Sequence, residues 1–249
     1  RRERGYAQDQ SGDDGSPGRN GTGQVLQPTA EITGPAEWRM LSAPVDGVNP
    51  DTLAQVSLVQ GVDDHFPNAA PNLYQWPGGT DNNVDWTAPS SATTDLTSNG
   101  QGFIWYVFDT AQTPLTDTPP FTLSVPGAPR TSDVTTGELQ EGFHLLGNPY
   151  AQSFDISALN LGAQNFQTTV QVWDPSAGSY EPVLQSSTDE DFVGAYQGFF
   201  VECVSSNNCS GNKLTFDAGG RRADLVSLKT LEEAPPRIEF RLVGRDGDG

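Results

Sequence analysis

Lysine is nearly missing from this chain of 249 residues: only Lys213 and Lys229 occur, and 13 Lys and Arg together face 32 Asp and Glu, for a formal net charge of −19. A surface this negative repels nucleic acid and anionic lipid headgroups, which excludes DNA, RNA and peripheral membrane binding. No run of about 20 apolar residues exists, so no membrane insertion by a helix is expected. The opening RRERGYAQDQ lacks the apolar stretch of a signal peptide, and the sequence reads as a mature chain or an excerpt. Histidine is confined to His65 and His144, and no G-x-S-x-G occurs, so a Ser-His-acid triad has no support. Paired carboxylates carry no glycosidase signal, because among 32 acids some pair sits at the right separation by chance. The chain is read as non-enzymatic.

Two explanations of the acidity compete. One is an ordinary acidic extracellular protein. The other, favoured by the scarcity of lysine and the excess of Asp over Glu, is a halophilic protein whose carboxylates keep the surface hydrated while salt screens their repulsion.

Cysteine is as sparse as histidine. Cys203 and Cys209 frame CVSSNNC, a spacing that suits a disulfide pinning a β-hairpin; closing so short a loop contributes about 2–2.5 kcal/mol. A metal pair is disfavoured because no further Cys or nearby His completes a tetrahedral site. A disulfide implies an oxidising compartment, hence an extracellular or cell-surface location.

What the chain has in abundance is turn formers: 27 glycines and 19 prolines cut it into short β-type runs. These include 38–45 (WRMLSAPV), 103–108 (FIWYVF), 121–125 (FTLSV), 143–146 (FHLL), 168–173 (TTVQVW) and 198–204 (GFFVECV). FTLSV alternates, with Phe121, Leu123 and Val125 on one face of a half-buried strand. FIWYVF and GFFVECV are continuous apolar runs, as expected of strands covered on both faces. Long helices are not expected; short ones are expected after Pro50 or over 155–161, each with an Asp placed as a cap. The pattern predicts an all-β fold of sandwich or barrel-like units.

Laid on itself, the chain matches in four places. Trp38–Pro44 (WRMLSAP) matches Phe143–Pro149 (FHLLGNP) 105 positions on, Trp76 matches Trp173 at 97, Gln101-Gly102-Phe103 matches Gln197-Gly198-Phe199 at 96, and Phe121-Thr122-Leu123 matches Leu214-Thr215-Phe216 at 93. The order is kept and the offset shrinks slowly, which points to an internal duplication. The expected organisation is a tail over 1–30, β unit one over 31–137, β unit two over 138–229, and a linker and strand over 230–249. The matched residues are Trp, Phe, Leu, Pro and Gly, which build cores and turns; no catalytic set recurs.

These anchors also resemble a secreted β-rich region found upstream of type IX secretion sorting domains in Bacteroidetes and in Rhodothermus- and Salinibacter-type bacteria. The matching pieces are Glu37–Pro44 (EWRMLSAP), Leu145–Tyr150 (LLGNPY), Asp155–Leu159 (DISAL), Val172–Tyr180 (VWDPSAGSY) and Tyr196–Val201 (YQGFFV). The resemblance implies a secreted or cell-surface β-rich region with no catalytic residues to carry over. No sorting domain follows in this sequence, and RIEFRLVGRDGDG is read as the start of the next segment.

Candidate sites are few. His144 occupies the polar slot matched by Arg39 and is read as structural; His65 sits in a loop beside Asp63 and Asp64. Asp81, Asn83 and Asp85 cluster oxygen ligands and are the candidate for calcium, without completing an EF-hand. Trp86, Trp105, Tyr106 and Tyr180 are candidates for sugar stacking, with Trp86 foremost because it sits in a loop and has no counterpart in the repeat, and with Trp105 beside it. Trp38, Trp76 and Trp173, as repeat anchors, are expected in the core. The sequence therefore predicts a non-catalytic extracellular structural or adhesive module. The alternatives are a subunit of a surface filament joined by β-strand addition and a carbohydrate-binding module. Expected partners are copies of itself, other surface proteins or glycan.

If the acidity serves a salt-rich setting, raising NaCl from about 0.1 M to about 1 M, which shortens the Debye length from about 10 Å to about 3 Å, raises the melting temperature. A melting temperature that stays flat or falls across that series counts against the halophilic reading.

Overall fold

Why the chain divides where it does follows from its strand pairings. A computed structural model describes residues 28–78, 86–108, 118–185, 191–204 and 208–222. The tail, the segment 237–243 and the calcium candidates Asp81, Asn83 and Asp85 lie outside the described residues. The fold is all-β: among the described residues strands outweigh helices, every strand pairing is antiparallel, and no sheet closes into a barrel.

In the first half, β1 (Thr29–Ile32) pairs with β5 (Phe121–Ser124), and β2 (Glu37–Leu41), β4 (Phe103–Val107) and β3 (Leu73–Gln75) form a sheet in the order β2-β4-β3. One face of that sheet packs on the β1-β5 ribbon. Leu41, Phe103 and Trp105 share a buried cluster with Ile32, Phe121 and Leu123. The alternation read in FTLSV holds, with Phe121, Leu123 and Val125 all buried.

In the second half, β7 (Gly142–Gly147), β9 (Thr169–Asp174), β10 (Ser179–Leu184) and β12 (Gly198–Cys203) form a sheet in the order β10-β9-β12-β7. A ribbon of β6 (Val134–Thr135) and β13 (Thr215–Phe216) accompanies it, and β8 (Ser153–Asp155), flanked by β11 (Phe192–Val193) and β14 (Arg221–Arg222), adds a small third sheet. Strand β6 lies within 31–137 but pairs with β13, so by pairing it belongs with the second half. The core here gathers Leu146, Val170, Phe199 and Phe216 around Tyr150 and Phe154.

The registers of the two halves coincide. Leu41 opposite Phe103 becomes Leu146 opposite Phe199 when the offsets of 105 and 96 are applied. Tyr74 opposite Ile104 becomes Gln171 opposite Phe200 at offsets of 97 and 96. A one-residue slip would send every side chain to the other face, so equal register means equal facing.

Contacts between the halves are reciprocal. Leu41 bridges Gln197, and the corresponding Leu146 bridges Gln101. Such exchange is the mark of a two-fold arrangement. It requires close backbone approach, and glycine supplies it: a Cβ on Gly102 would lie 2.6 Å from the Leu146 oxygen, and one on Gly198 would lie 2.8 Å from Met40 Cγ and 3.0 Å from the Leu41 oxygen.

Local locks follow from the motifs. In LLGNPY, buried Asn148 donates through Nδ2 to the carbonyls of Gln152 (2.8 Å) and Gly194 (3.0 Å) and accepts from the Tyr150 amide (3.0 Å). Tyr150 donates its hydroxyl to the Phe216 carbonyl at 2.6 Å. The two short helices are present: α1 (Pro50–Ala54) and a single 3₁₀ turn over Ile156–Leu159. Asp155 caps the second, whereas Asn49 rather than Asp51 caps the first, because its Oδ1 reaches the Thr52 amide at 2.9 Å. The disulfide Cys203–Cys209 forms, with Cα atoms 5.6 Å apart. It does not pin a hairpin, because β12 pairs with β7 and β9 while the next strand, β13, pairs with β6.

Tyr196 interlocks the halves. It belongs to the second half by sequence, yet its side chain is 0% exposed within the first core, and its hydroxyl donates to the Pro28 carbonyl at 2.6 Å. It holds φ at 64°, and the corresponding residue of the first half, Gly100, holds 72°. Tyr196→Ala should cost about 3–5 kcal/mol, as large aromatic truncations do, and Tyr196→Phe about 1 kcal/mol for one hydrogen bond. Chemical denaturation measures both; an alanine variant as stable as the parent would show that the insertion does not couple the cores.

Candidate functional site

Strand alternation sends one residue in two away from the cores. On β2 the outward residues are Trp38 and Met40, on β4 Ile104 and Tyr106, on β7 Phe143 and Leu145, and on β12 Phe200 and Glu202. Both sheets present these residues to the same side, where Met40, Leu145 and Phe200 form a third, small buried cluster with Trp76, Trp86 and Trp173 packed against it. Trp76 and Trp173 are not core anchors. Both are half-buried, and each reaches across to the other half. Trp76 Nε1 donates to the Phe143 carbonyl at 2.7 Å and Trp173 Nε1 to the Trp38 carbonyl at 3.1 Å. Trp38, also expected in the core, is half-buried beside Tyr74 and Tyr106, with ring centroids 5.7 and 5.3 Å away.

An aromatic row crosses this face. Trp76 meets Trp86 at 4.9 Å, Trp86 meets Phe200 at 6.0 Å, Phe200 meets Tyr180 at 5.9 Å, and Tyr180 meets Trp173 at 5.1 Å, measured between ring centroids. Tyr180 stays 46% exposed and Phe143 42%. The row walls two clefts. One, of about 560 Å³, lies among Trp38, Tyr74, Ile104 and Trp173. The other, of about 520 Å³, lies among Trp76, Phe143, Gln171, Phe200 and Glu202. Trp86 and Tyr180 line both. Partial burial raises the Tyr180 phenol pKa above its ordinary value, so at neutral pH it stays protonated and able to donate. Exposed ring faces with a few polar groups at their edges suit ligands that offer both apolar and hydrogen-bonding surface.

Trp86 lies in the site, but it does have a structural counterpart. Gln75 pairs with Thr87 as Val172 pairs with Glu181, which sets Trp86 opposite Trp76 as Tyr180 is set opposite Trp173. Trp105, the other stacking candidate, is corrected: it points into the first core, 0% exposed, with Nε1 donating to the Leu58 carbonyl at 3.1 Å. Tyr106 stays on the outer face against Trp38 and Phe108 without lining either cleft. Tyr74, Phe143, Gln171, Phe200 and Glu202 escaped notice in the sequence; their strand parity and their repeat registers were the available signals.

The polar slots serve structure. Arg39 donates to the carbonyls of Thr33 (3.0 Å) and Pro35 (2.9 Å), and His144 Nε2 meets the Gln140 carbonyl at 2.7 Å. Pro35 and Gln140 correspond at the same offset of 105. His65 pairs with Asp51 Oδ1 at 2.6 Å rather than with its loop neighbours. Among the described residues no three His, Cys, Asp or Glu side chains are grouped to hold a metal ion.

Burial lowers the His144 pKa below its ordinary value of about 6.5. The unfolded chain then binds more protons than the native one as pH falls through 6.5, so stability is full above that point and declines on acidification. His144→Gln keeps a donor for the Gln140 carbonyl without the titration. Its melting temperature should fall less than that of the parent between pH 7.5 and pH 5; equal falls would count against the assignment.

Compared with known proteins, the chain finds no match among family models, curated proteins or solved structures.

Proposed function

We propose that this chain is a non-catalytic, extracellular adhesive module, built on a duplicated β scaffold, whose aromatic face binds neutral carbohydrate. The observation that carries the reading is the row Trp76–Trp86–Phe200–Tyr180–Trp173, in which Tyr180 is exposed and the three tryptophans are half-buried around a buried Phe200, on sheets whose other faces are employed in cores. A contiguous aromatic surface costs solubility and stability unless it serves binding. Sugar rings offer apolar C–H faces to aromatic rings and hydroxyls to groups such as Gln171, Glu202 and the Tyr180 phenol. A net charge of −19 selects against anionic glycans.

The extracellular setting is supported by the disulfide and by the resemblance carried by LLGNPY, VWDPSAGSY and YQGFFV. Among the described helices none is long and apolar enough to cross a membrane. Filament growth by strand addition gains less support: the outer strand β10 carries Pro182, which removes one donor from its ladder.

A screen of immobilised neutral glycans at high salt tests the reading. Binding should be retained by the parent and weakened about 5–10-fold in Trp86→Ala and in Tyr180→Ala, each of which removes one stacking ring. Retention of no neutral glycan, or variants that bind as the parent does, would sink it.

A further inference from the structure

We infer that the aromatic face holds two quasi-equivalent carbohydrate subsites, so that one chain binds two separate segments of a neutral glycan. This rests on the carbohydrate reading above and adds the number of sites and how they differ.

The two clefts correspond under the two-fold that relates the sheets, except that Met40 lines only the first and Glu202 only the second. Under the repeat offsets, Trp38 of the first becomes Phe143 of the second, and Tyr74 becomes Gln171. Ile104 becomes Phe200, and Trp173 in the first is answered by Trp76 in the second. The shared wall follows the same rule. Trp76 meets Trp86 at 4.9 Å and 66°, and Trp173 meets Tyr180 at 5.1 Å and 67°. The volumes, about 560 and 520 Å³, agree as well. Each is of a size usual for small-ligand sites.

The occupant follows from charge and lining. No Lys or Arg lines either cleft, and Glu202 lines the second. With the net charge of −19, this disfavours anionic ligands and leaves neutral sugars, whose faces stack on the rings. The subsites differ in their polar groups. The first offers a phenol at Tyr74, and the second offers an amide at Gln171 and a carboxylate at Glu202, whose counterpart Tyr106 lines neither cleft; the carboxylate accepts from sugar hydroxyls by the stronger, charge-assisted hydrogen bonds. Both clefts open on one face, so the two-fold passes through that face and reverses the sense of a directional polymer between them. Each subsite therefore takes its own segment. A surface dense in glycan chains is held at two points, with the gain in avidity that linkage brings.

Calorimetric titration with cellotetraose, with laminaritetraose as a second neutral probe, tests this. The parent should bind two equivalents per chain. Tyr74→Ala should leave one, and so should Tyr74→Leu, which removes the phenol and keeps an apolar side chain on the strand, if the alanine variant folds poorly by circular dichroism. Gln171→Ala with Glu202→Ala should weaken the other subsite about 10-fold. One equivalent for the parent, or both sets of variants weakening a single common event, overturns the twin subsites. Neither tetrasaccharide binding while an immobilised glycan is still retained through Trp86 overturns the twin subsites and leaves the carbohydrate reading standing. Binding undiminished in both Trp86→Ala and Tyr180→Ala overturns the carbohydrate reading, and the subsites with it.

Discussion

The backbone contact at the two-fold is the constraint on which the rest of the molecule depends. Leu41 beside Gln197 and Leu146 beside Gln101 bring four strand ends together, and Gly102 and Gly198 stand where any side chain would strike the opposing backbone. Buried backbone groups must be paired, and here each half supplies the partner the other lacks: Ser42 donates to the Tyr196 carbonyl at 2.9 Å and Gly102 to the Leu145 carbonyl at 3.1 Å. Once this contact is made, the outer faces of β2-β4-β3 and β10-β9-β12-β7 turn to one side, and the aromatic residues on them pack against one another and against Met40, Leu145 and Ile104.

The tryptophans show how packing and site are one problem. A lone half would leave the indole N–H of Trp76 or Trp173 without its present acceptor, since Trp76 donates to β7 of the second half and Trp173 to β2 of the first. Crossing over satisfies the N–H and leaves the ring standing at the boundary, partly wet. The same move that completes the interface therefore raises the walls of the clefts. It also explains why tryptophan recurs at this position: a ring long enough to span the boundary and a donor at its tip are both needed.

Much of the fold was legible in the sequence. The alternation in FTLSV, the turn formers, and the disulfide partners were readable locally. The offsets of 105, 97 and 96 contained more than a repeat, since they carry the strand registers of one half onto the other. The facing of the anchors was not legible. A continuous run such as FIWYVF does not say whether its second face is covered by a core or by a ring in another half, and Trp105 and Tyr106, neighbours in sequence, went opposite ways. Nor was the structural correspondence of Trp86 and Tyr180. Nine residues separate Trp76 from Trp86 and six separate Trp173 from Tyr180, so the offset falls from 97 to 94 and hides the match until the pairing of Gln75 with Thr87 is known.

Differences between the halves sort by where they lie. Residues that hold the two-fold contact match as small or aliphatic pairs, such as Gly102 with Gly198 and Leu41 with Leu146. Residues inside the cores change in compensating pairs: Gly100 leaves room for Phe216, whereas its counterpart Tyr196 fills the first core, where the counterpart of Phe216 is the smaller Leu123. On the open face the change is of another kind. Tyr74 and Tyr106, whose rings pack on Trp38, are answered in the other half by Gln171 and Glu202, an amide and a carboxylate that line the second cleft with Phe143. Ring packing is exchanged there for hydrogen-bonding groups at a cleft, a demand other than that of core packing. On a face lined by rings and framed by a strongly negative surface, a neutral ligand with one apolar side meets it.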